Sequence, residues 1–243
     1  LIYITYDIDW LHPWHPYSII KCILPSSRWL TWKQLFKRDV FLNKLKEVVS
    51  ENEQANLTPI YHIGVPYTTV GRYDLRYSAF SPVWNEAIDI IKMQEVGLHS
   101  HTKLPIAKQL VPLQTAIEKP VGFHRSHYLR HNRTQLHLEL YHTSVTHDFT
   151  TGAIRHLTNA MAEHQGSVHY IPTVLFDNLF FTESPTVVFD RFKRLIETVA
   201  VQHSPVAIAF HPENQLLMPA LQEHYHSVLH IIRQAGIPFY HSS

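Results

Sequence analysis

Apolar and polar positions along this chain follow two alternating patterns. Short runs rich in β-branched and aromatic residues, namely Ile2–Tyr6, Thr58–Ile63, Val96–His99, Val121–His124, Ser144–His147, Val168–Phe176 and Val206–Phe210, read as strands, and Ile237–Tyr240 is a candidate last one. Between them lie longer segments whose apolar residues recur at helical spacing: Trp32–Gln54, Pro82–Met93, Ala107–Glu118, Thr134–Tyr141, Pro185–Gln202 and Leu217–Ala235. In the first of these the recurring positions are Leu35, Val40, Phe41, Leu45, Val48 and Val49. Ser81-Pro82 and Ser184-Pro185 each set a capping residue before a proline at the first helical position, and Gly236-Ile237-Pro238 stops the last helix. Strands alternating with helices predict parallel βα units in a single α/β domain over residues 1–243. No repeat, low-complexity stretch or linker interrupts it. The first run begins at residue 2 with no initiating Met and no signal-peptide pattern, as expected of a piece trimmed from a longer chain.

The polar residues that close the strands carry the chemistry. The runs read ITYDID, PIYHIG, VGLHSH, VGFHR, VTHDF, TVLFDN and AIAFHPEN, so nearly every one ends in Asp, His or Arg. In a parallel α/β barrel the C-terminal strand ends converge on one face, where side chains from distant parts of the chain meet. Asp7 and Asp9 stand two apart and project together from an extended end. Two carboxylates so close need a metal, an arginine or a lysine beside them. The chain has 20 histidines, and imidazole is the commonest metal ligand and proton shuttle. His62, His124 and His127 sit where they could line a cleft. His137, His142, His156, His164, His224, His226 and His230 fall on helices or connectors, where exposed or hydrogen-bonded placement is the expectation.

Charge and composition narrow the classes. A net charge of +1 without a dense Lys/Arg run argues against a nucleic-acid surface. One cysteine, Cys22, excludes an internal disulfide framework and a thiolate metal cage. No apolar run approaches the roughly 18 residues of a transmembrane segment. The segment from Trp10 to Trp32 holds four of the five tryptophans, Trp10, Trp14, Trp29 and Trp32. Its flat aromatic faces suit a sugar-binding wall, with a hydrophobic cluster over the barrel or a partner-binding patch as alternatives.

YDIDW, EVGLHSHTK, GFHRSHYLRH, VTHDFTTG and IAFHPEN occur in the order of the sequence blocks of the polysaccharide deacetylase family, which this chain resembles over about residues 2–214. The likeness is to the branch with an Asp-x-Asp first block and a His-Pro-Glu late block. It implies an irregular, seven-stranded (β/α) barrel, and a hydrolase that removes acetyl groups, as amides or esters, from a carbohydrate or related acetylated polymer with a divalent metal such as zinc. It also implies a cell-envelope or secreted setting. By the same resemblance Asp7 is the general base, Asp9 and His99 are metal ligands, Arg125 orients the base, and His211 is the general acid. Asp148, Trp10, Trp14, His127, Tyr128 and Asp177 are then expected to bind substrate or support the site.

One position departs from the family pattern. A second metal histidine is expected four residues after His99, and Lys103 stands there. A catalytic zinc usually has three protein ligands. Either His101 supplies the third, since His99-Ser100-His101 can place both rings on one side of an extended segment, or the Lys103 ammonium replaces the metal as a fixed charge beside Asp9. The second case describes a degenerate barrel acting as a glycan-binding or assembly module. A different metal hydrolase of the amidohydrolase type fits less well, because there the His-x-His belongs to the first strand.

Overall fold

The computed structural model describes residues 1–9, 39–66, 81–101, 104–129, 132–152, 157 and 161–242. Trp10, Trp14, Trp29, Trp32 and Lys103 lie outside the described residues, as does residue range 32–38 of the expected first helix. The strands are β1 (Ile2–Ile8), β2 (Ile60–Ile63), β3 (Glu95–Ser100), β4 (Phe123–Ser126), β5 (His147–Asp148), β6 (Glu163–Gln165), β7 (Val168–Tyr170), β8 (Thr173–Phe176) and β9 (Val206–Phe210). They form one sheet in the order β6-β7-β5-β4-β3-β2-β1-β9-β8. Every neighbouring pair is parallel except β6–β7. The helices are α1 (Val40–Gln54), α2 (Ser81–Ile91), α3 (Ile106–Ile117), α4 (Arg133–Tyr141), α5 (Pro185–Gln202), α6 (Pro212–Leu217) and α7 (Ala220–Gln234).

The sheet curls into an irregular half-barrel. A parallel bridge joins Gly152 to Thr173, and the Thr173 N–H donates to the Thr151 carbonyl at 2.7 Å. The chain just beyond β5 therefore meets the start of β8, which closes the curl from the other arm. Along β1, Ile2, Ile4, Tyr6 and Ile8 pack outward with Leu45 and Val48 of α1 and with Leu229 and Ile232 of α7. Tyr3 points inward and joins Ile60, Phe123, Phe149, Ile171 and Ala207 in a second, smaller core. Thr5 and Asp7 share the face of Tyr3 by strand alternation. The inner face thus passes from apolar at the N-terminal strand ends to charged at the C-terminal ends.

Several boundaries differ from the sequence reading, each for a local reason. The run Val168–Phe176 is two strands: β7 pairs with β5, and β8 pairs with β9 on the opposite arm. The break falls at Ile171-Pro172, where proline has no N–H for a ladder and its carbonyl instead accepts from Ala207 N–H at 2.8 Å. β6 was not expected, because Glu163, His164 and Gln165 are all polar and exposed; it pairs through a hairpin that turns at Gly166, φ +63°. The segment Leu217–Ala235 breaks at Met218-Pro219 into α6 and α7. Ile237–Tyr240 makes a single bridge, Ile2 to Phe239, rather than a strand. The Ser184 cap is present: its hydroxyl accepts from the Val187 N–H. With β7, β8 and β6 resolved separately, the sheet has nine strands where seven were expected.

Part of the histidine excess is structural. His147, His169 and His164 stand side by side on β5, β7 and β6, with ring centroids 5.1 and 4.4 Å apart. His147 also lies 5.8 Å from Tyr3, at the N-terminal end of the strands. Burial, then neighbouring His169, pushes its pKa down to about 4.

Gly97 sits beside His62 in the β2–β3 register. A Cβ there would come within 2.4 Å of His62 Cδ2 and 3.1 Å of Phe123 Cβ. Glycine is therefore what lets the His62 ring stand inside the sheet. Gly97→Ala is expected to destabilise by about 1–3 kcal/mol through overpacking, measured by urea unfolding. Unchanged stability would show that His62 has room to move.

Candidate functional site

The site is built on a buried guanidinium. Arg125, on β4, is fully buried inside the curl. Its Nη1 donates to Asp7 Oδ1 at 2.6 Å and to Thr5 Oγ1 at 2.9 Å, Nη2 donates to Thr173 Oγ1 at 2.7 Å, and Nε donates to the Phe149 carbonyl at 3.2 Å. Phe149 and Phe176 cover it, with ring centroids 5.7 and 5.5 Å away. Burial alone would raise the Asp7 pKa, but Arg125, with His99 and His62, holds the carboxyl well below the usual carboxylate range. The His62 Nδ1 is 3.4 Å from Asp7 Oδ1. Burial, reinforced by the Arg125 charge, outweighs Asp7 and pushes the His62 pKa down to about 3, so that ring is neutral.

Asp9 lies one residue past the end of β1, and its N–H is held by Glu213 Oε1 at 3.0 Å. Its Oδ1 is 3.2 Å from His99 Nε2, and its Oδ2 is 3.8 Å from His127 Nε2 and 3.7 Å from His211 Nε2. Burial raises the Asp9 pKa, but His127 and His99 outweigh it and keep the carboxyl ionised. His99 Nδ1 faces the Arg125 carbonyl at 3.2 Å. A neutral ring that donates from Nδ1 turns the Nε2 lone pair toward Asp9. Asp9 Oδ1 and His99 Nε2 face each other at 3.2 Å, and Asp9 Oδ1 is buried without a hydrogen-bond partner among the described residues. A cation satisfies that arrangement. Asp9, His99 and His127 each offer one ligand atom, all within 4.8 Å of one another. One carboxylate and two imidazoles are a donor set that fits a divalent metal ion.

The third member of this trio is His127, not the expected His101. β3 ends at Ser100, so strand alternation does not carry through to residue 101. The His101 N–H is held by Gln109 Oε1 at 2.8 Å, and its ring Nε2 lies 3.4 Å from the Val65 carbonyl. His127 arrives from the 3₁₀ turn His127–Leu129 that follows β4, with its ring 5.0 Å from that of His99.

A second ion pair completes the site. His211 Nδ1 donates to Asp177 Oδ1 at 2.6 Å, and the His211 backbone N–H donates to Asp177 Oδ2 at 2.8 Å. Asn214 Nδ2 also donates to Asp177 Oδ1, at 3.1 Å. Burial pushes the His211 pKa down, but Asp177, then Asp9 and Glu213, raise it well above the ordinary histidine value. His211 is therefore an imidazolium with Nδ1 engaged and Nε2 toward Asp9. Burial and the Asp9 charge push Glu213 up, the situation of two carboxylates sharing one place.

Asp148 supports the site from behind. It bonds His124 Nδ1 at 2.6 Å, and His124 Nε2 lies 2.7 Å from Ser100 Oγ. The order resembles a hydrolytic triad, yet Ser100, His124 and Asp148 are each 0% exposed. They tie the ends of β3, β4 and β5 together on the face opposite Arg125. Asp7, Asp9, His99, Arg125, His127, Asp177 and His211 thus gather from five strands or their ends. The Tyr128 side chain lies outside the described residues. Sequence reasoning missed Glu213 and Asn214 as site residues, although both stand in the His-Pro-Glu-Asn motif, and their contacts with Asp9 and Asp177 span 204 and 37 residues.

No family model matches the sequence, and no curated protein matches it. Solved structures do match in fold. A Mycobacterium smegmatis protein provisionally described as a polysaccharide deacetylase aligns with a TM-score of 0.52 at 12% identity, covering 100% of this chain and 93% of its own. Puue allantoinase aligns with a TM-score of 0.57 at 8% identity, covering 96% of this chain and 84% of its own. The irregular deacetylase-type barrel expected from the motifs is the fold observed.

Removing Arg125 leaves Asp7 buried and unpaired. Arg125→Ala is expected to destabilise by about 3–5 kcal/mol. The Asp7 pKa is depressed by folding, so its contribution is complete above the ordinary carboxylate pKa and is lost as pH falls below it. Urea unfolding across the acid range should show that loss in the native protein and a flatter dependence in Arg125→Ala. Equal acid dependence would detach Asp7 from Arg125.

Proposed function

We propose that this chain is a metal-dependent hydrolase that removes acetyl groups, as amides or esters, from a carbohydrate or related polymer. One observation carries the reading. The Asp9–His99–His127 trio shares a single strand-end site with the Asp7–Arg125 pair and the Asp177–His211 pair. The fold likeness to a protein described as a polysaccharide deacetylase supports the substrate class.

Asp9, His99 and His127 would hold the ion, and zinc suits them. A divalent ion held there would supply Lewis acidity toward an acyl carbonyl and a water. Asp7, kept ionised and oriented by Arg125, would accept the proton of the attacking water. His211 acts at the other end of the reaction. With Nδ1 donating to Asp177, its remaining proton is on Nε2, available to the departing amine or alkoxide. Burial of both pairs excludes bulk water from competing for these protons. Arg125, engaged by four protein acceptors, stays out of the chemistry and fixes Asp7 instead. No helix of the described residues is long and apolar enough to cross a membrane.

The test is acetate release from acetylated chitooligosaccharides or a chromogenic acetyl ester, with and without added Zn²⁺. Zinc-dependent release is expected. In parallel, calorimetric titration with Zn²⁺ should show His127→Ala weakened by at least tenfold and His101→Ala close to native. The reverse order would return the third ligand position to His101.

The acid role of His211 has its own signature. It must be protonated to act, so rate should fall as pH rises through its raised pKa. Asp177→Asn removes the neighbouring charge while keeping a hydrogen-bond acceptor. The alkaline limb of kcat/KM is expected to move to lower pH in that variant. An alkaline limb unmoved by Asp177→Asn would remove His211 from the acid role.

A further inference from the structure

Asp177 and His211 come from neighbouring strand ends, and a third residue holds them together. Asp177 opens a 3₁₀ turn, Asp177–Phe181, that follows β8 directly, and His211 follows β9 as the N-cap of α6. β8 and β9 are parallel neighbours, so the two side chains meet across the sheet. Two of the bonds that Asp177 accepts come from His211 itself: Nδ1 donates to Oδ1 at 2.6 Å and the backbone N–H to Oδ2 at 2.8 Å. The third comes from Asn214, whose Nδ2 donates to Asp177 Oδ1 and to Asn178 Oδ1, at 3.1 Å in each case. Asp177, His211 and Asn214 are all buried.

The three residues close a circuit. Asn214 stands in the first turn of α6, and its backbone N–H donates to the His211 carbonyl at 3.0 Å. Pro212, at the first helical position, presets that turn. The helix therefore fixes where the Asn214 amide stands relative to His211, and the amide in turn fixes the Asp177 carboxylate. A carboxylate held by His211 alone could turn together with the ring; with the amide on Oδ1, any such rotation breaks the bond to Asn214 as well. The ring then keeps Nδ1 on Asp177 and Nε2 toward the site, 3.7 Å from Asp9 Oδ2. The buried His124–Asp148 pair is built the same way: Thr150 Oγ1 donates to Asp148 Oδ1 at 2.7 Å, the oxygen that His124 Nδ1 bonds. An imidazole that acts at reacting atoms needs a partner to orient it, and that partner needs support of its own. The Asn214 side chain makes no hydrogen bond to Asp9, His99 or His127 among the described residues, so its influence runs through Asp177.

We propose that Asn214 is a positioning residue for His211: its amide fixes the Asp177 carboxylate, and the fixed carboxylate holds the imidazole with Nε2 turned to the leaving group. This rests on the hydrolase reading above, in which His211 is the acid. It adds a residue that never meets the reacting atoms and whose effect falls on departure of the leaving group.

The experiment compares native protein, Asn214→Leu and Asn214→Ala in two measurements. Asn214→Leu fills the space without the N–H donors, and Asn214→Ala removes both. The first measurement is proton NMR of the hydrogen-bonded Nδ1–H, a downfield resonance assigned to His211 by its absence in His211→Gln, with the His124–Asp148 pair as internal reference. In both Asn214 variants the His211 resonance is expected to move upfield or broaden by exchange with water while the His124 resonance stays. The second is acetate release with added Zn²⁺, from acetylated chitooligosaccharides or an O-acetylated sugar, whose leaving groups are poor, and from a chromogenic acetyl ester, whose leaving group is good. On the sugars kcat is expected to fall by about 10–100-fold with KM near native, and on the chromogenic ester by about tenfold less, because a positioned acid matters most for a poor leaving group. A native His211 resonance in the variants, or a loss on the sugars no greater than on the ester, would overturn the proposal and leave the hydrolase reading standing. No release from the sugars by the native protein would instead overturn the hydrolase reading, and the proposal with it. If Asn214→Leu does not fold, the Asn214→Ala result decides.

Discussion

A guanidinium sealed inside a curled sheet must find all its acceptors in the protein, and the rest of this structure follows from how Arg125 does so. Its four bonds reach Thr5 and Asp7 on β1, Thr173 on β8 and the Phe149 carbonyl just past β5. Those positions lie on both arms of the sheet. Satisfying one side chain therefore draws the arms together, alongside the Gly152–Thr173 bridge. It also sets Asp7 in one rotamer and one protonation state. An arginine can be buried this way because it stays charged and its planar fork matches several acceptors at once.

Three acids of the site are compensated in three ways, which gives them three characters. Asp7 faces a permanent cation and stays ionised. Asp177 faces an imidazole and makes that imidazole cationic. Asp9 faces the Nε2 atoms of His99, His127 and His211, and with the first two it makes a cluster that could hold a metal ion. The groups lie within a few ångströms, yet their environments keep Asp7 anionic and His211 cationic. The apolar cluster around Tyr3 and Phe149 closes the floor beneath them, so the charged groups meet only at the C-terminal strand ends.

Much of this was legible in the sequence, for identifiable reasons. Strand ends announce themselves when an apolar run stops at Asp7, His99, Arg125 or His211, and parallel topology then requires those ends to converge. The split of Val168–Phe176 was not legible, because both halves are apolar and only Pro172 marks the change of neighbour. That His127 joins Asp9 and His99 was not legible either. Period-two alternation favoured His101, but the strand stops at Ser100 and the Gln109 side chain takes over the next backbone amide. His127 reaches the trio from a turn, where no periodic rule applies. Glu213 was visible in its motif, but its bond to Asp9 spans nearly the whole chain, a distance that local pattern does not encode.

The central claim is that Asp9, His99 and His127 form a divalent-metal centre beside two charge-compensated pairs. Crystals of the zinc-loaded protein, with diffraction recorded on either side of the zinc absorption edge, test it most directly. The account predicts one anomalous peak bounded by the Asp9 carboxylate and the Nε2 atoms of His99 and His127, at zinc–ligand distances near 2.0–2.2 Å. A peak coordinated by His101 in place of His127, or density for a lysine ammonium at that position with no anomalous signal, would contradict it.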